Sequence, residues 1–352
     1  MEHVPPRCPN LECCNHLAPK DRFFWRHGSY RAGCRDAPVP RFRCRACRRG
    51  FSSQTFRHDR GDRRPECNEE VFRLLTSGVG LRQCGRLLKL RVFAVQRKLR
   101  KIGSTCDQLH RNLCRLLPVD RVYLFDEEET YETASIRPLT MPVLIERTTW
   151  FVVAFAAAPI RRLAPLGTAR RDWQDDDEKD RGMRRDRSKA AVYWVLRRLR
   201  HLAPNGPLLL QTDEKTTYPW LIRLNFGTRA EHHATSSKDP RTVRNALFPI
   251  NTTMAMTRDN NGRLRRQSWL VTKRRKCLIE QMHLFTVYRN YVRKRFNTDE
   301  DGATAAKLLG LVPRAMHPRE VVAWRQDWGP RSPHPLSRRG DKTVADSLQP
   351  RL

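Results

Sequence analysis

"VYLFDEEETYET" (residues 122–133) and "LLLQTDEKTTYP" (residues 208–219) decide how this chain is read. Each begins as an apolar run and reaches an aspartate, Asp126 in the first and Asp213 in the second. Short runs of Val, Leu and aromatic residues read as buried strands. The first predicts a strand "VYLF" ending in Asp126, and the second a strand from Leu208 to Leu210 ending in Asp213. Between them, "PLTMPVLIER" and "TTWFVVAFAAAPI" read as antiparallel neighbours, and "SKAAVYWVLRRLRHLA" as an amphipathic helix capped by Ser188. Residues 167–187, dense in charge and without apolar period, read as a solvated insertion in which Asp175, Asp176 and Asp177 are surface.

Two aspartates brought to neighbouring strand ends repel unless divalent cations lie between them. Mg²⁺ or Mn²⁺ suits carboxylate oxygens and retained water. Two such ions about 4 Å apart serve phosphodiester chemistry. The competing reading makes both aspartates caps or turn residues after strands.

The charge balance points the same way. Of 352 residues, 69 are Lys or Arg and 37 Asp or Glu, a net charge of +32. Such a chain repels itself unless a polyanion neutralises it, and double-stranded DNA is the leading partner because phosphate contacts release counterions. No run of about 18 apolar residues predicts a membrane span. "MEHVPPRCPN" shows no secretory signal, so a reducing, cytoplasmic setting is expected.

Seven of the eleven cysteines fall within the first 67 residues. "CPNLEC" supplies Cys8 and Cys13, and "CRAC" supplies Cys44 and Cys47. Two short knuckles separated by β-rich sequence match a four-thiolate Zn²⁺ site. Cys14 could replace Cys13, and Cys34 and His16 are spare donors. Metal-free buried cysteines and a redox CxxC are the alternatives.

Residues 66–103 predict three helices: "EEVFRLLTSG", "LRQCGRLLKL" and "RVFAVQRKLRKI". Phe93, Val95, Leu99 and Ile102 of the third are expected inward in part. Its other face carries Arg91, Gln96, Arg97, Arg100 and Lys101, matching the recognition helix of a helix-turn-helix. Gln96 and Arg97 suit base edges, and Arg100 and Lys101 phosphates. A helical hairpin with a solvated basic face is the competing reading.

In this order, "CPNLEC…RFRCRACRRGFSSQTF", "LFDEEETYE", "LLLQTDEKTTYP" and "NTTMAMTRDNNGRLRRQSWLVTKRR" resemble the DDE transposases of bacterial insertion elements, over roughly residues 8–295. The resemblance is to those with a zinc ribbon, a helix-turn-helix and a ribonuclease-H-like domain. It implies a multidomain chain: zinc ribbon (1–60), all-α helix-turn-helix (61–118), α/β catalytic domain (119–329) and a disordered basic tail (330–352). It also implies Mg²⁺-dependent strand cleavage and transfer, a homodimer or larger assembly on DNA, and a nucleoid-associated setting. Asp126 and Asp213 become the first two metal-binding acids. In such enzymes a Glu usually opens the helix bearing the third, but the comparable helix here starts near Asn251 without one. Asp259, about 12 Å along that helix, is preferred over Glu280, about 43 Å along if it is continuous. Arg263, Arg266 and Lys273, with Arg258, Arg265, Arg274 and Arg275, are expected to hold the cleaved strand. "LFTVYRNYVRKRFN" is expected as an amphipathic basic helix. The rival class is a DNA-binding regulator or relic that no longer cuts.

Overall fold

The computed structural model describes residues 4–324 except 34, 58, 119, 120, 237, 241 and 266–268. Cys34, Arg266, Trp328 and the expected tail therefore lie outside the described residues.

The N-terminal unit has a one-turn helix α1 (Cys14–Leu17) and three antiparallel strands, β1 (Phe24–Tyr30), β2 (Val39–Cys44) and β3 (Gly50–Ser52), in that order. Period-two alternation turns Phe42 and Cys44 inward and Arg41 and Arg43 outward. Phe23, Phe42, Phe51 and Phe56 pack with the cysteines into a small core of their own. Too little apolar surface is buried there to hold a unit of this size unaided.

Three helices follow: α2 (Asn68–Thr76), α3 (Leu81–Leu87) and α4 (Val92–Leu113). Gly78, at φ +78°, makes the turn after α2, and its N–H donates to the Asn260 carbonyl at 3.1 Å. Val95, Leu99, Ile102, Cys106 and Leu109 form the buried stripe of α4 at helical spacing. Phe93 falls off that stripe and is 73% exposed, against the expectation that it points inward.

The remainder is mixed α/β. In chain order it contains β4 (Val122–Tyr131), β5 (Pro138–Glu146), β6 (Val152–Phe155), β7 (Ala158–Pro159), α5 (Ala169–Arg181), α6 (Ser188–Leu202), β8 (Leu208–Asp213), α7 (Tyr218–Phe226) and β9 (Ala230–Thr235). Then come α8 (Phe248–Asn260), α9 (Arg275–Val287), α10 (Ala305–Leu308) and α11 (Pro318–Ala323). The sheet order is β6-β5-β4-β8-β9, with β7 also on β5. β4, β5 and β6 are antiparallel, while β4, β8 and β9 are parallel. Tyr123, Phe125, Leu208 and Leu210 face α6 and α7 on one side. Leu124, Met141, Val143 and Ile145 face α8 and α9 on the other.

Several elements differ from the sequence reading. β4 continues past Asp126 to Tyr131, because its acidic half finds partners described below. "TTWFVVAFAAAPI" breaks into two strands, β6 and β7. The charged insertion is mostly helix α5: Thr168 caps it by accepting from Arg171 N, and ion pairs Arg171–Asp175 (3.0 Å) and Asp177–Arg181 (3.5 Å) run along it. Asp177 also pairs with Arg137 at 2.8 Å, and Asp176 with Lys179 at 3.0 Å. α6 begins at Ser188 itself, with Arg187 in the capping position. The long basic helix is two helices, interrupted between Asn260 and Arg275.

α9 is not amphipathic. Every residue from Cys277 to Val287 is buried, because the sheet lies on one side and the three-helix unit on the other. Tyr291 and Asn290 just beyond are fully buried too, and Asn290 bonds both the N–H and the carbonyl of Val152. Gly103 permits a close helix crossing. A Cβ there would stand 2.9 Å from the Glu280 carbonyl oxygen. One apolar core thus runs from Val71, Leu75 and Leu99 through Phe151 and Leu284 to Leu199 and Val322.

Candidate functional site

The first candidate is a cluster of four thiols. Cys8 and Cys13 flank the turn before α1, and Cys44 and Cys47 flank the turn between β2 and β3. Backbone bonds hold both turns: Cys8 N–H to the Asn15 carbonyl at 2.9 Å, and Cys44 N–H to the Arg49 carbonyl at 3.0 Å. The four sulfurs lie within 4.8 Å of one another, with Cys8–Cys47 at 3.4 Å and Cys13–Cys44 at 3.8 Å. Tetrahedral Zn–S bonds of about 2.3 Å require sulfur–sulfur edges of about 3.8 Å, so the donor set fits a structural metal such as zinc. Burial pushes the Cys8 thiol up. Burial acts in the same sense on Cys47, but the Arg49 backbone N–H and neighbouring thiols outweigh it and bring Cys47 down to about 7. The spare donors stay outside the set: Cys14 is exposed, and His16 Nδ1 lies 2.7 Å from the Cys8 carbonyl.

The second candidate is the aspartate pair. In the parallel ladder Val122 stands opposite Leu209, Tyr123 opposite Leu210 and Leu124 opposite Gln211. The paired ladder ends at Leu124–Gln211; its offset, continued two residues further, would bring Asp126 level with Asp213, and the Asp213 charge acts on the Asp126 carboxyl. Alternation puts Asp126 on the face of Leu124, beneath α8, and Asp213 follows Gln211 on that face. Burial drives the Asp126 carboxyl up to about 7. The Asp213, Glu127 and Glu128 charges push the same way, and the Glu127 N–H, 2.7 Å from Asp126 Oδ1, pulls against them.

The acidic run resolves by alternation. Glu127, on the opposite face, is clamped by Lys215 Nζ at 2.5 Å, the Tyr218 hydroxyl at 2.9 Å and the Thr140 hydroxyl. Glu128 is buried against Arg258 of α8. Glu129 takes both terminal nitrogens of Arg162, at 2.8 and 2.5 Å. Asp126 and Asp213 alone of these five have no cationic partner among the described residues. Asp213 Oδ1 accepts only the Lys215 backbone N–H, at 3.2 Å. Lys215 therefore touches both strands' acids, Asp213 through its backbone and Glu127 through its ammonium. Sequence reasoning missed this clamp; its trace was a glutamate between two ligand-type positions and a Lys two residues past Asp213.

No third carboxylate is gathered. Among the described residues, Asp126 and Asp213 join no third His, Cys, Asp or Glu in a group with ligand atoms within 4.8 Å of one another. Arg258 is the α8 residue that reaches β4. Asp259, the next residue, lies about 100° further round the helix and is exposed. Its carbonyl accepts from Arg265 at 3.1 Å. Glu280 lies against Gly103 and 3.9 Å from Arg100.

The expected DNA contacts divide. Arg91 and Arg97 are exposed. Gln96 reaches the Cys277 sulfur at 3.6 Å, Arg100 faces Glu280, and Lys101 pairs with Asp62 at 2.9 Å. Arg263 donates to Gln281 at 2.9 Å, whereas Lys273 is exposed. His232 lies 2.8 Å from the Thr212 hydroxyl, and His233 2.6 Å from Glu231, so both have local partners. Among the described residues no helix is long and apolar enough to cross a membrane. No protein-family model matches the chain, and no curated protein sequence matches it either.

Proposed function

We propose that this chain is a metal-dependent polynucleotidyl transferase of the DDE transposase type, which cuts and joins DNA strands. The observation that carries the reading is the pairing of Asp126 with Asp213. Both lie on neighbouring parallel strands, on one face and without a cationic partner among the described residues of a protein of net charge +32, and the strand offset continued beyond Leu124–Gln211 would bring them level. The sheet order β6-β5-β4-β8-β9, antiparallel on one side of β4 and parallel on the other, supports a ribonuclease-H-like domain. The thiol cluster on a three-stranded sheet supports a zinc ribbon.

Mg²⁺ or Mn²⁺ at such a pair would activate the attacking oxygen and stabilise the leaving one. Asp126 and Asp213 are the residues that would hold the ions. Glu127, Lys215 and Tyr218 hold the two strands in the register that makes the pair. α2–α4 and the N-terminal unit hold the duplex, and the exposed Lys273 is placed to meet a strand near α8. The test is strand cleavage of a labelled duplex with Mg²⁺ or Mn²⁺. Wild type should nick or cut, and Asp126→Asn and Asp213→Asn should not. Equal cleavage by all three would overturn the reading.

A second reading has its own observation: among the described residues no third carboxylate stands with the pair. On that reading the chain binds DNA ends without cutting. Duplex binding without cleavage under any divalent cation would favour it.

A further inference from the structure

The residues expected to read DNA are largely engaged within the fold, and a cluster of arginines without carboxylate partners lies elsewhere. On the outer face of β1–β3, Trp25 stands opposite Arg43, and Arg43 opposite Gly50. The guanidinium of Arg48 lies 4.8 Å from the centre of the Trp25 ring and that of Arg45 lies 6.0 Å from it. Arg43 Nε donates to the Arg48 carbonyl at 2.9 Å, and Arg45 Nε to the Phe24 carbonyl at 3.3 Å. Arg41 shares the exposed face of β2 with Arg43. None of these four arginines has a carboxylate partner among the described residues. Arg48 even occupies a left-handed backbone position, φ +60°, where glycine is the cheaper residue.

Two guanidiniums at one indole, with Arg41 and Arg43 on the exposed face of the neighbouring strand, repel each other. A stacked guanidinium leaves its N–H edge free for an oxyanion. We propose that this face is the chain's principal grip on the duplex phosphate backbone, independent of base sequence, with Trp25 as the ring that positions Arg45 and Arg48. The three-helix unit, left with Arg91 and Arg97, contributes the smaller share. This inference rests on the nucleic-acid partner of the proposed function, but not on cleavage.

The experiment is fluorescence anisotropy of the full, metal-loaded chain on a labelled duplex of arbitrary sequence, titrated across salt. Each lost phosphate contact makes the slope of log affinity against log salt shallower by about 0.9. Arg45→Ala with Arg48→Ala should flatten the slope by about two. Arg91→Ala with Arg97→Ala should flatten it by less. Trp25→Ala removes no charge. It should weaken binding about fivefold at each salt concentration with the slope nearly kept, and Trp25→Phe should restore most of the affinity. The thiolate absorption of the cobalt-loaded variants confirms that the unit is folded. An unchanged slope in Arg45→Ala with Arg48→Ala, or wild-type affinity in Trp25→Ala, overturns the inference. A chain that binds no duplex overturns it together with the proposed function. A chain that binds in this way but never cuts sinks only the catalytic reading.

Discussion

The cysteine cluster and the aspartate pair are both gatherings of like-charged ligands, and they are built in opposite ways. The four thiols come from two tight turns, each held by its own backbone bonds, and together they complete a tetrahedron. The aspartates are 87 positions apart on two neighbouring parallel strands, and on the proposed reading they would leave coordination positions open to a substrate. A closed donor set suits a metal that holds a fold, and an open one a metal that meets a substrate. The first unit has only a small apolar core beside a thiol set that could hold a metal; the second is braced by a continuous core and by the Glu127 clamp.

That contrast can be broken most decisively at the thiols. Chelation, or Cys44→Ser, is expected to unfold residues 8–56 and leave the α/β core folded, since structural zinc contributes on the order of 10 kcal/mol. Hydrogen exchange would read this. Protection surviving in β1–β3 after chelation would make the cluster mere packing.

At the aspartates the larger effect is on rate. Asp126→Asn should lower strand cleavage on the order of a thousandfold while duplex affinity changes less than about twofold, because the lost term is charge stabilisation worth several kcal/mol.

Stability without divalent metal should move the other way. The folded Asp126 carboxyl titrates at about 7, above an unfolded value near 3.9. The folded state therefore keeps a proton that the unfolded state releases. Its contribution is present below pH ~4 and lost as pH rises towards ~7. Asp126→Asn should be more stable than wild type at pH 8, by at most a few kcal/mol, and equal to it at pH 4. Urea unfolding at both pH values checks the sign. Wild type that is the more stable protein at pH 8 would mean that the carboxylate is not strained.

The clamp sharpens the comparison at smaller scale. Glu127→Ala strands the buried Tyr218 hydroxyl and should cost about 1–3 kcal/mol. It should also weaken Mn²⁺ binding at the pair, measured by calorimetry. Asp259→Asn should be the mildest change, under about 0.5 kcal/mol in stability for an exposed residue. A large loss of cleavage in that variant would restore Asp259 as the third ligand.

Much of this was legible in sequence because the signals were local. Cys8, Cys13, Cys44 and Cys47 are spaced as knuckles, and the runs ending in Asp126 and Asp213 are apolar enough to be buried strands. What escaped was set by distant neighbours. Residues 169–181 lack an apolar stripe, and their helix is fastened by Arg137 and Arg161 of other segments. The basic look of "LFTVYRNYVRKRFN" concealed that its first four residues close the buried helix α9, that one π-turn (Tyr288–Val292) follows, and that the helix ends before the basic residues from Arg293 on. Gln96, Arg100 and Lys101 resemble DNA-reading residues until Cys277, Glu280 and Asp62 arrive from elsewhere in the chain.

At Gly103 the backbones of α4 and α9 cross closely, with a Cβ there standing 2.9 Å from the Glu280 carbonyl oxygen. On the proposed function that crossing would fix the offset of whatever the three helices hold from Asp126 and Asp213. For a polynucleotide that offset is a count of base pairs, so the point of scission would be set by a ruler moulded into the protein rather than by the letters at the break. A bulkier side chain at position 103 would wedge the crossing and should shift where the cut falls.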